Sequence, residues 1–264
     1  MVQPREQPGL IVQNTVKIKL AQGKTVFGTW NTITSATVCE VIAQTDIDFQ
    51  ILDMEHGSFS FENIENCIRA IENYDCSPLV RIGGLNLNDS QKALDLGAHG
   101  LIFPQVKGVA ETKLAMQFTQ FTPKGVRGFN PFTRYRAFSV NEKSNLFQKE
   151  NDFSLRSIIL ENKESLDQID QILDVPDLDL VYLGAYDMSV VLGKPGQMNS
   201  PEVQNFIETG IKKVRAAKKA VGVMTSDAET AKRYEQLGAN FIVMGVDANI
   251  IANSVKKTIN SFKK

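Results

Sequence analysis

Acidic and basic side chains stand directly after short apolar runs at several places in the sequence. The run FQIL is followed by Asp53, Glu55 and His56, and the run IIL is followed by Glu161. A carboxylate next to buried apolar residues needs a cation or hydrogen bonds to stay ionised. Asp187 lies just past the next apolar run. Glu161 and Asp187 together would offer only oxygen ligands, which suit a hard ion such as Mg²⁺ or Mn²⁺ that keeps waters and takes further ligands from a substrate.

Two more residues fit chemistry at the same ends of these runs. Arg81 closes the run PLV, and its forked guanidinium suits either a substrate carboxylate or a buried ion pair. His56 suits a general base, and a purely structural role is its alternative. The acids that end strands could likewise serve only as caps of the helices that follow. His99 comes just before an apolar run instead of after one, so we expect it at the opposite end of the fold with a structural role.

Composition limits the kind of protein. The 264 residues carry a net charge of −1, which gives no basic footprint for nucleic acid. Two histidines exclude an all-histidine metal site, and Cys39, Cys67 and Cys76 show no paired metal spacing, which favours buried thiols in a reducing compartment. No secretion signal and no membrane-length apolar run is present. We therefore predict a cytoplasmic protein with one domain over residues 1–264, in which 1–15 form an N-terminal arm.

The apolar runs alternate with amphipathic stretches, as in repeated βα units. Helical spacing recurs over 62–73, over 203–218 and along a final stripe from Ile251 to Phe262. No GxGxxG motif follows the first run, which disfavours a dinucleotide-binding sheet. Eight strands predict an α/β fold of the (β/α)₈ TIM-barrel type. They are expected at 26–30, 49–53, 78–82, 100–104, 157–161, 179–184, 220–224 and 240–245.

A long connection, residues 105–156, separates the fourth and fifth predicted strands. Its basic-aromatic part, residues 124–138, interleaves four cations with four aromatic rings. Such interleaving can bind single-stranded nucleic acid, but the near-neutral net charge disfavours that use. Long loops in compact domains are usually functional or disordered, and we expect this one to act as a lid or a subunit contact.

Several segments, in this order, resemble one known family over roughly residues 26–255. They are FGTW, LDMEHG, PLVRI, LDLGAHGLIFPQV, GVRG, IILEN, GAYDMS and VMGVD. Together they are similar to the HpcH/HpaI aldolase/citrate lyase family, and specifically to its metal-dependent pyruvate-type aldolases. The resemblance implies a phosphoenolpyruvate/pyruvate-type barrel. It also implies a class II aldolase that forms or cleaves 4-hydroxy-2-oxo acids, giving pyruvate and an aldehyde through an enolate.

The resemblance assigns roles to residues. Glu161 and Asp187 match the carboxylates that bind a divalent metal, Mg²⁺, Mn²⁺ or Co²⁺. His56 matches a general base that acts through a metal-held water, and Asp95 matches the acid that pairs with this histidine. Arg81 matches the arginine that stabilises the developing enolate.

The remaining implied site residues bind substrate or support the rim. The turn Gly184–Asp187, with Ala185 and Tyr186, matches the segment that receives the 2-oxo-acid carboxylate. Asp53 and Glu55 belong to the same rim, and Asp53 is expected among the catalytic residues. Two positions depart from the family pattern. Ile159 stands where some relatives carry a substrate-binding Gln, and Ala185 replaces the usual Pro. The first departure puts the pose of pyruvate in question.

The resemblance also implies a homo-oligomer, a hexamer or trimer of dimers, in which neighbours exchange the C-terminal helix. The stripe from Ile251 to Phe262 fits that arrangement, and it equally fits a helix packed on its own chain. Two other functions stay open from the sequence. One is a citrate lyase-like lyase acting on a CoA thioester, and the other is a non-catalytic barrel that binds 2-oxo acids.

Overall fold

Eight parallel strands close into a barrel in the order of the chain. The structure is a computed structural model, and it describes residues 13–139 and 147–263. All eight predicted strands are present, with bounds within two residues of the predictions. The strands are β1 Val26–Asn31, β2 Phe49–Asp53, β3 Ser77–Arg81, β4 Gly100–Phe103, β5 Leu155–Leu160, β6 Leu180–Leu183, β7 Ala220–Met224 and β8 Phe241–Val246.

Helices follow the strands and cover the outside of the barrel. Several begin at a Ser, Asn or Asp whose side chain accepts a hydrogen bond from a backbone N–H of the first turn, as at Ser60 and Asn86, because this satisfies one of the donors left free at a helix start. Within the described residues the helices are α1 Thr15–Ala21, α2 Ala36–Ala43, α3 Phe61–Ile71, α4 Leu87–Asp95, α5 Val109–Phe118, α6 Phe147–Phe153, α7 Lys163–Asp167, α8 Ile169–Leu173, α9 Ala185–Val191, α10 Pro201–Ala216, α11 Ala228–Leu237 and α12 Asp247–Phe262.

The core has two layers, because alternate strand residues point to opposite faces of the sheet. One layer lies between the sheet and the helices. The other fills the barrel interior, where Phe49 stacks on Phe241 with ring centroids 3.9 Å apart. Val16 and Leu20 of α1 join this inner layer, so α1 closes the N-terminal end of the barrel. Among the described residues the interior is therefore packed below the site, which leaves the C-terminal end for a ligand to enter.

The N-terminal arm predicted for residues 1–15 falls mostly outside the described residues. Its described end is ordered by side-chain hydrogen bonds. Asn14 is buried, caps α1 through Lys17 N, and donates to the carbonyl oxygens of His99 and Phe153 at 2.6 and 2.8 Å. Residues 14 and 15 therefore belong to the helix that closes the barrel instead of to a loose arm.

The connection 105–156 is not the continuous loop that we predicted. It contains α5, whose buried residues Thr112, Ala115, Met116 and Phe118 follow helical spacing, then a short 3₁₀ segment over Arg134–Ser139 and α6. Residues 140–146 of the connection lie outside the described part. The sequence gives little sign of α5, because its apolar residues are only weakly segregated to one helix face.

The basic-aromatic part of this connection packs at the N-terminal end of the barrel. Arg127 pairs with Asp95 at 2.7 Å, and Arg134 donates to Glu72 and to the carbonyl oxygen of Leu96. Asp95 and Leu96 end α4, which runs antiparallel to the strands. The described part of the segment is therefore no lid over the active-site end of its own barrel. A subunit contact stays a prediction, and Phe129, Phe132 and Phe138 are at least half exposed there.

The last helix, α12, leaves its apolar stripe uncovered. Ile251, Val255, Ile259 and Phe262 are 48%, 54%, 46% and 91% exposed. The stripe therefore does not pack on the described part of its own chain, which contradicts that alternative for residues 13–139 and 147–263. Within the described residues, the longest apolar helical stretches fall short of what crossing a membrane requires.

Candidate active site

A cavity of about 850 Å³ opens at the C-terminal end of the barrel. This is the end where the loops after the strands build the active sites of barrel enzymes. Nearly all the predicted site residues line it. They are Asp53, His56, Arg81, Ile159, Glu161, Gly184, Ala185, Tyr186 and Asp187.

Arg81, the last residue of β3, is paired with two carboxylates. Its Nε and one terminal nitrogen donate to Asp53 at 2.8 and 2.5 Å, and its other terminal nitrogen lies 2.8 Å from Glu55 Oε2. The guanidinium carbon also lies 4.5 Å from the ring centre of Trp30. A guanidinium has five N–H groups, so this pairing fixes the orientation of Arg81 and leaves N–H groups for a substrate.

The two carboxylates beside Arg81 differ in their electrostatics. Burial by itself would raise the pKa of Asp53, but the hydrogen bonds and charge of Arg81 hold it below its ordinary value. Asp53 Oδ1 also accepts the backbone N–H groups of Glu55 and His56, which shapes the turn after β2. Burial raises the pKa of Glu55, with the charge of Arg81 opposing the change.

Glu161 follows β5 and is only 3% exposed. Burial raises its pKa to about 7, opposed by a hydrogen bond from the Gln105 backbone N–H at 2.5 Å and reinforced by the charges of Asp187 and Glu55. A Cβ at Gly184 would lie 2.5 Å from the Cβ of Glu161 and 3.0 Å from its Oε2. A glycine at position 184 therefore leaves room for the carboxylate of Glu161, with which a larger residue would clash.

Asp187 lies in the first turn of α9 and is exposed to the cavity. The described chain has no preformed cluster of three or more His, Cys, Asp or Glu side chains that would bind a metal by itself. The donor set of Glu161 and Asp187 still fits a hard divalent ion. Such ions accept few protein carboxylates and complete their coordination with waters and substrate oxygens, and a buried carboxylate beside a second one gains from a cation.

His56 lies at the rim, with its side chain 68% exposed and its Nε2 4.0 Å from Glu55 Oε2. The predicted partner Asp95 is not beside it. Asp95 ends α4 at the opposite end of the barrel and pairs there with Arg127. The cause is topological, because a helix that follows a strand runs back to the N-terminal end. A contact between His56 and Asp95 would require two copies of the chain.

His99 is buried at that same far end, as predicted, with Nε2 3.6 Å from Glu72. The three cysteines are buried and free, as predicted.

Sequence reasoning assigned no role to three residues that shape the site. The guanidinium of Arg81 packs over the ring of Trp30, Tyr182 lines the cavity from β6, and the backbone N–H of Gln105 donates to Glu161. The alternation of β1 and β6 would have placed both aromatic rings inside the barrel. Nothing in the sequence marks Gln105, whose φ of 56° is unusual for a residue other than glycine.

The fold and site define a class, the (β/α)₈ barrels with carboxylates, a histidine and an arginine at the C-terminal end. Sequence and structure comparisons then identify the family. The profile of the HpcH/HpaI aldolase/citrate lyase family matches residues 27–254. The chain belongs to this family.

Individual relatives agree with this assignment. The chain is 31% identical over 245 residues to 4-hydroxy-2-oxo-heptane-1,7-dioate aldolase of Shigella flexneri, covering 93% of this chain and 91% of the relative. It is 30% identical over 253 residues to 2-keto-3-deoxy-L-rhamnonate aldolase of Escherichia coli O9:H4 (strain HS), covering 96% and 94%. These relatives and the family identify the chain as a carbon–carbon lyase of the aldolase type.

A solved HpcH/HpaI aldolase/citrate lyase family protein from Burkholderia cenocepacia J2315 superposes with a TM-score of 0.90. It is 24% identical, and the match covers 96% of this chain and 100% of that one. This likeness supports the fold alone.

Proposed function

We propose that the protein cleaves 4-hydroxy-2-oxo acids to pyruvate and an aldehyde, and forms them in reverse, with a divalent cation held by Glu161 and Asp187. One observation carries the proposal. The cavity brings these two carboxylates together with Arg81, which Asp53 holds in place. When bound, Mg²⁺, Mn²⁺ or Co²⁺ would act as a Lewis acid toward the oxygens of the 2-oxo acid.

Arg81 supplies positive charge at a fixed place. Because Asp53 and Glu55 orient its guanidinium, its remaining N–H groups need no reorganisation when negative charge develops on a substrate oxygen. Donors that are preorganised in this way typically contribute about 10²–10³-fold to the rate. The turn Gly184–Asp187 begins α9, where backbone N–H groups lack helical partners, and it would receive the substrate carboxylate.

His56 is the proposed base. In cleavage, its imidazole takes the proton of the 4-hydroxyl group, the C3–C4 bond breaks, and the electron pair stays with the three-carbon fragment as the enolate of pyruvate. Protonation of this fragment at C3 then gives pyruvate, and the aldehyde leaves. The exposed rim position of His56 leaves its imidazole open to exchange the proton with solvent.

The test is metal-controlled cleavage of a 4-hydroxy-2-oxo acid, followed by pyruvate release. We expect EDTA to abolish the activity and Mg²⁺, Mn²⁺ or Co²⁺ to restore it. Glu161→Ala should remain inactive after metal is added back. Activity that survives both EDTA and Glu161→Ala would exclude the proposal.

For the aldehyde half, we propose an uncharged, hydroxylated acceptor. Among the described residues that line the cavity, Arg81 is the one lysine or arginine, and it already faces two carboxylates. The opposite wall offers Thr225, Ser226, Asp227 and Asn249. Their polar groups suit substrate hydroxyls, and the negative charge of Asp227 would repel a second carboxylate.

An aldol screen with pyruvate tests this choice. We expect kcat/KM for glyceraldehyde or lactaldehyde to exceed that for succinic semialdehyde by about 10-fold or more. Asp227→Asn keeps a side-chain oxygen to cap α11, and it should reduce the difference in kcat/KM between the two kinds of aldehyde. A preference for the semialdehyde in the unmodified protein would contradict the proposal.

We also propose that the protein is a homo-oligomer, a hexamer or trimer of dimers, in which α12 packs on another copy. Its exposed apolar stripe supports this. Light scattering should give a mass of several chains, and Ile251→Asp with Val255→Asp should lower it. A monomeric mass for the unmodified protein would contradict the proposal.

A further inference from the structure

Tyr182 stands beside Ile159 on the inner face of the barrel. The two residues are direct register partners of neighbouring strands β5 and β6, both belong to the interior cluster, and both line the cavity. Ile159 offers only methyl groups at a position where some relatives carry a substrate-binding amide. The phenol hydroxyl of Tyr182 is the polar group on the adjacent strand at the same level.

The Tyr182 ring is held in one place. Its centroid lies 5.3 Å from that of Trp30, with the ring planes at 58°, and Trp30 in turn carries Arg81 at 4.5 Å. Gly222 lies behind the ring, where a Cβ would come within 2.5 Å of Tyr182 Cδ2. A donor on a ring that is already fixed loses little conformational freedom when it binds a ligand.

Tyr182 is 5% exposed as a residue, and its hydroxyl makes no hydrogen bond with the residues that the structure describes; because it is not among their fully buried unpaired atoms, it is open to the cavity. A hydroxyl that faces a cavity bonds to solvent there until a ligand takes its place. The charges of Arg81 and Glu161 both act on this hydroxyl, so it lies near the charged groups of the site. A bound molecule with an oxygen acceptor would replace solvent as the partner of the hydroxyl.

We propose that the Tyr182 hydroxyl is a substrate-binding donor that replaces the amide absent at Ile159, and that it donates to an oxygen of the 2-oxo acid. This inference rests on the proposed function for the identity of the ligand. The donor has moved from β5 to the neighbouring β6, so the pyruvate end of the cavity keeps a hydrogen bond while its wall at position 159 becomes apolar.

The experiment compares Tyr182→Phe with the double variant Tyr182→Phe, Ile159→Gln. Pyruvate affinity is measured by calorimetry in the presence of Mg²⁺, and kcat/KM is measured for cleavage. We expect Tyr182→Phe to weaken pyruvate binding by about 10-fold, the usual effect of losing one hydrogen bond to a ligand. The double variant should recover most of that loss, because it restores a donor at position 159.

Tyr74→Phe serves as the matched control. It removes a hydroxyl that contacts Glu40 outside the cavity, and it should leave pyruvate affinity unchanged. Thermal unfolding of Tyr182→Phe shows whether the substitution damages the fold in general. Ile159→Gln would not restore pyruvate binding if that were the cause of the loss.

Unchanged pyruvate affinity in Tyr182→Phe would overturn the inference, and so would a loss that Ile159→Gln fails to recover. Pyruvate binding by the unmodified protein without cleavage of any 4-hydroxy-2-oxo acid would instead contradict the proposed function. The binding comparison would then still decide the role of Tyr182.

Discussion

The two ends of the barrel bury similar charges with opposite results. At the N-terminal end, Glu72 accepts from Arg134, and Asp95 pairs with Arg127. At the C-terminal end, several carboxylates surround one arginine, Arg81. Charge at the first end is balanced and ties the long connection to α3 and α4. The described residues at the second end carry an excess of negative charge, as the proposed cation site would require.

The pKa values of two glutamates shift in opposite directions at the two ends. Burial would raise the pKa of both. At Glu72 the contacts with His99 and Arg134 overcome burial and lower the pKa. At Glu161 a single backbone N–H does not, and the pKa rises to about 7. The partners, and not the depth of burial, therefore separate a structural carboxylate from one available for function.

Replacing one arginine at each end should give the largest difference between the two ends, with a loss of activity at one and a loss of stability at the other. Arg81→Lys loses the forked contact with Asp53, because an ammonium group cannot donate in that geometry. We expect aldolase kcat/KM to fall by about 10²–10³-fold. The matched variant Arg134→Lys should lower the melting temperature and leave kcat/KM within about twofold. Equal activity losses in the two variants would remove the distinction between the ends.

Glu161→Gln should change how stability depends on pH. The folded pKa of Glu161 lies above its ordinary value, so the folded state holds the proton more tightly. The resulting contribution is fully present below about pH 4.5 and is lost as pH rises through about 7, by up to about 3 kcal/mol. In EDTA, the variant should therefore gain stability relative to the unmodified protein between pH 5 and 8, measured by urea unfolding.

The same experiment in Mg²⁺ provides the control. A bound cation favours the ionised carboxylate, so the unmodified protein should recover the stability that it loses at high pH. Parallel pH profiles of the variant and the unmodified protein in EDTA would contradict the raised pKa of Glu161.

Glu72→Gln tests the other end and should have the smallest effect. The folded pKa of Glu72 is lowered, so its contribution is present above the ordinary glutamate pKa and is lost as pH falls through the folded value. We expect a loss of about 1–2 kcal/mol at pH 7 that disappears in acid. The rate of aldol cleavage should not change. A stability loss independent of pH would indicate a packing defect instead of a lost ion pair.

The sequence predicts most of the fold because each strand is a short run with a clear apolar signal. The interior of the connection 105–156 was missed, since α5 has a weakly amphipathic pattern. Among the site residues, those that end strands were placed correctly, because the rule that strand ends meet at one rim needs no distances. Glu161 and Arg81 are examples.

Residues whose position depends on packing or on register were missed. Trp30 and Tyr182 meet across the barrel interior, and no local pattern reveals which inward rings touch. The pairing of His56 with Asp95 was predicted from the family resemblance. Within the chain, Asp95 lies at the end of α4 and pairs with Arg127 instead. Contacts between distant elements are the information that a single sequence does not carry.

The central claim is that the carboxylate-rich end of the barrel makes an enolate of pyruvate. Exchange of the C3 protons of pyruvate in D₂O, followed by NMR, tests it without any aldehyde. The account predicts exchange with Mg²⁺ or Mn²⁺, loss of exchange in EDTA, and none with Glu161→Ala. Exchange that persists in EDTA and in Glu161→Ala, or its absence from the unmodified protein with every divalent metal, would contradict the claim.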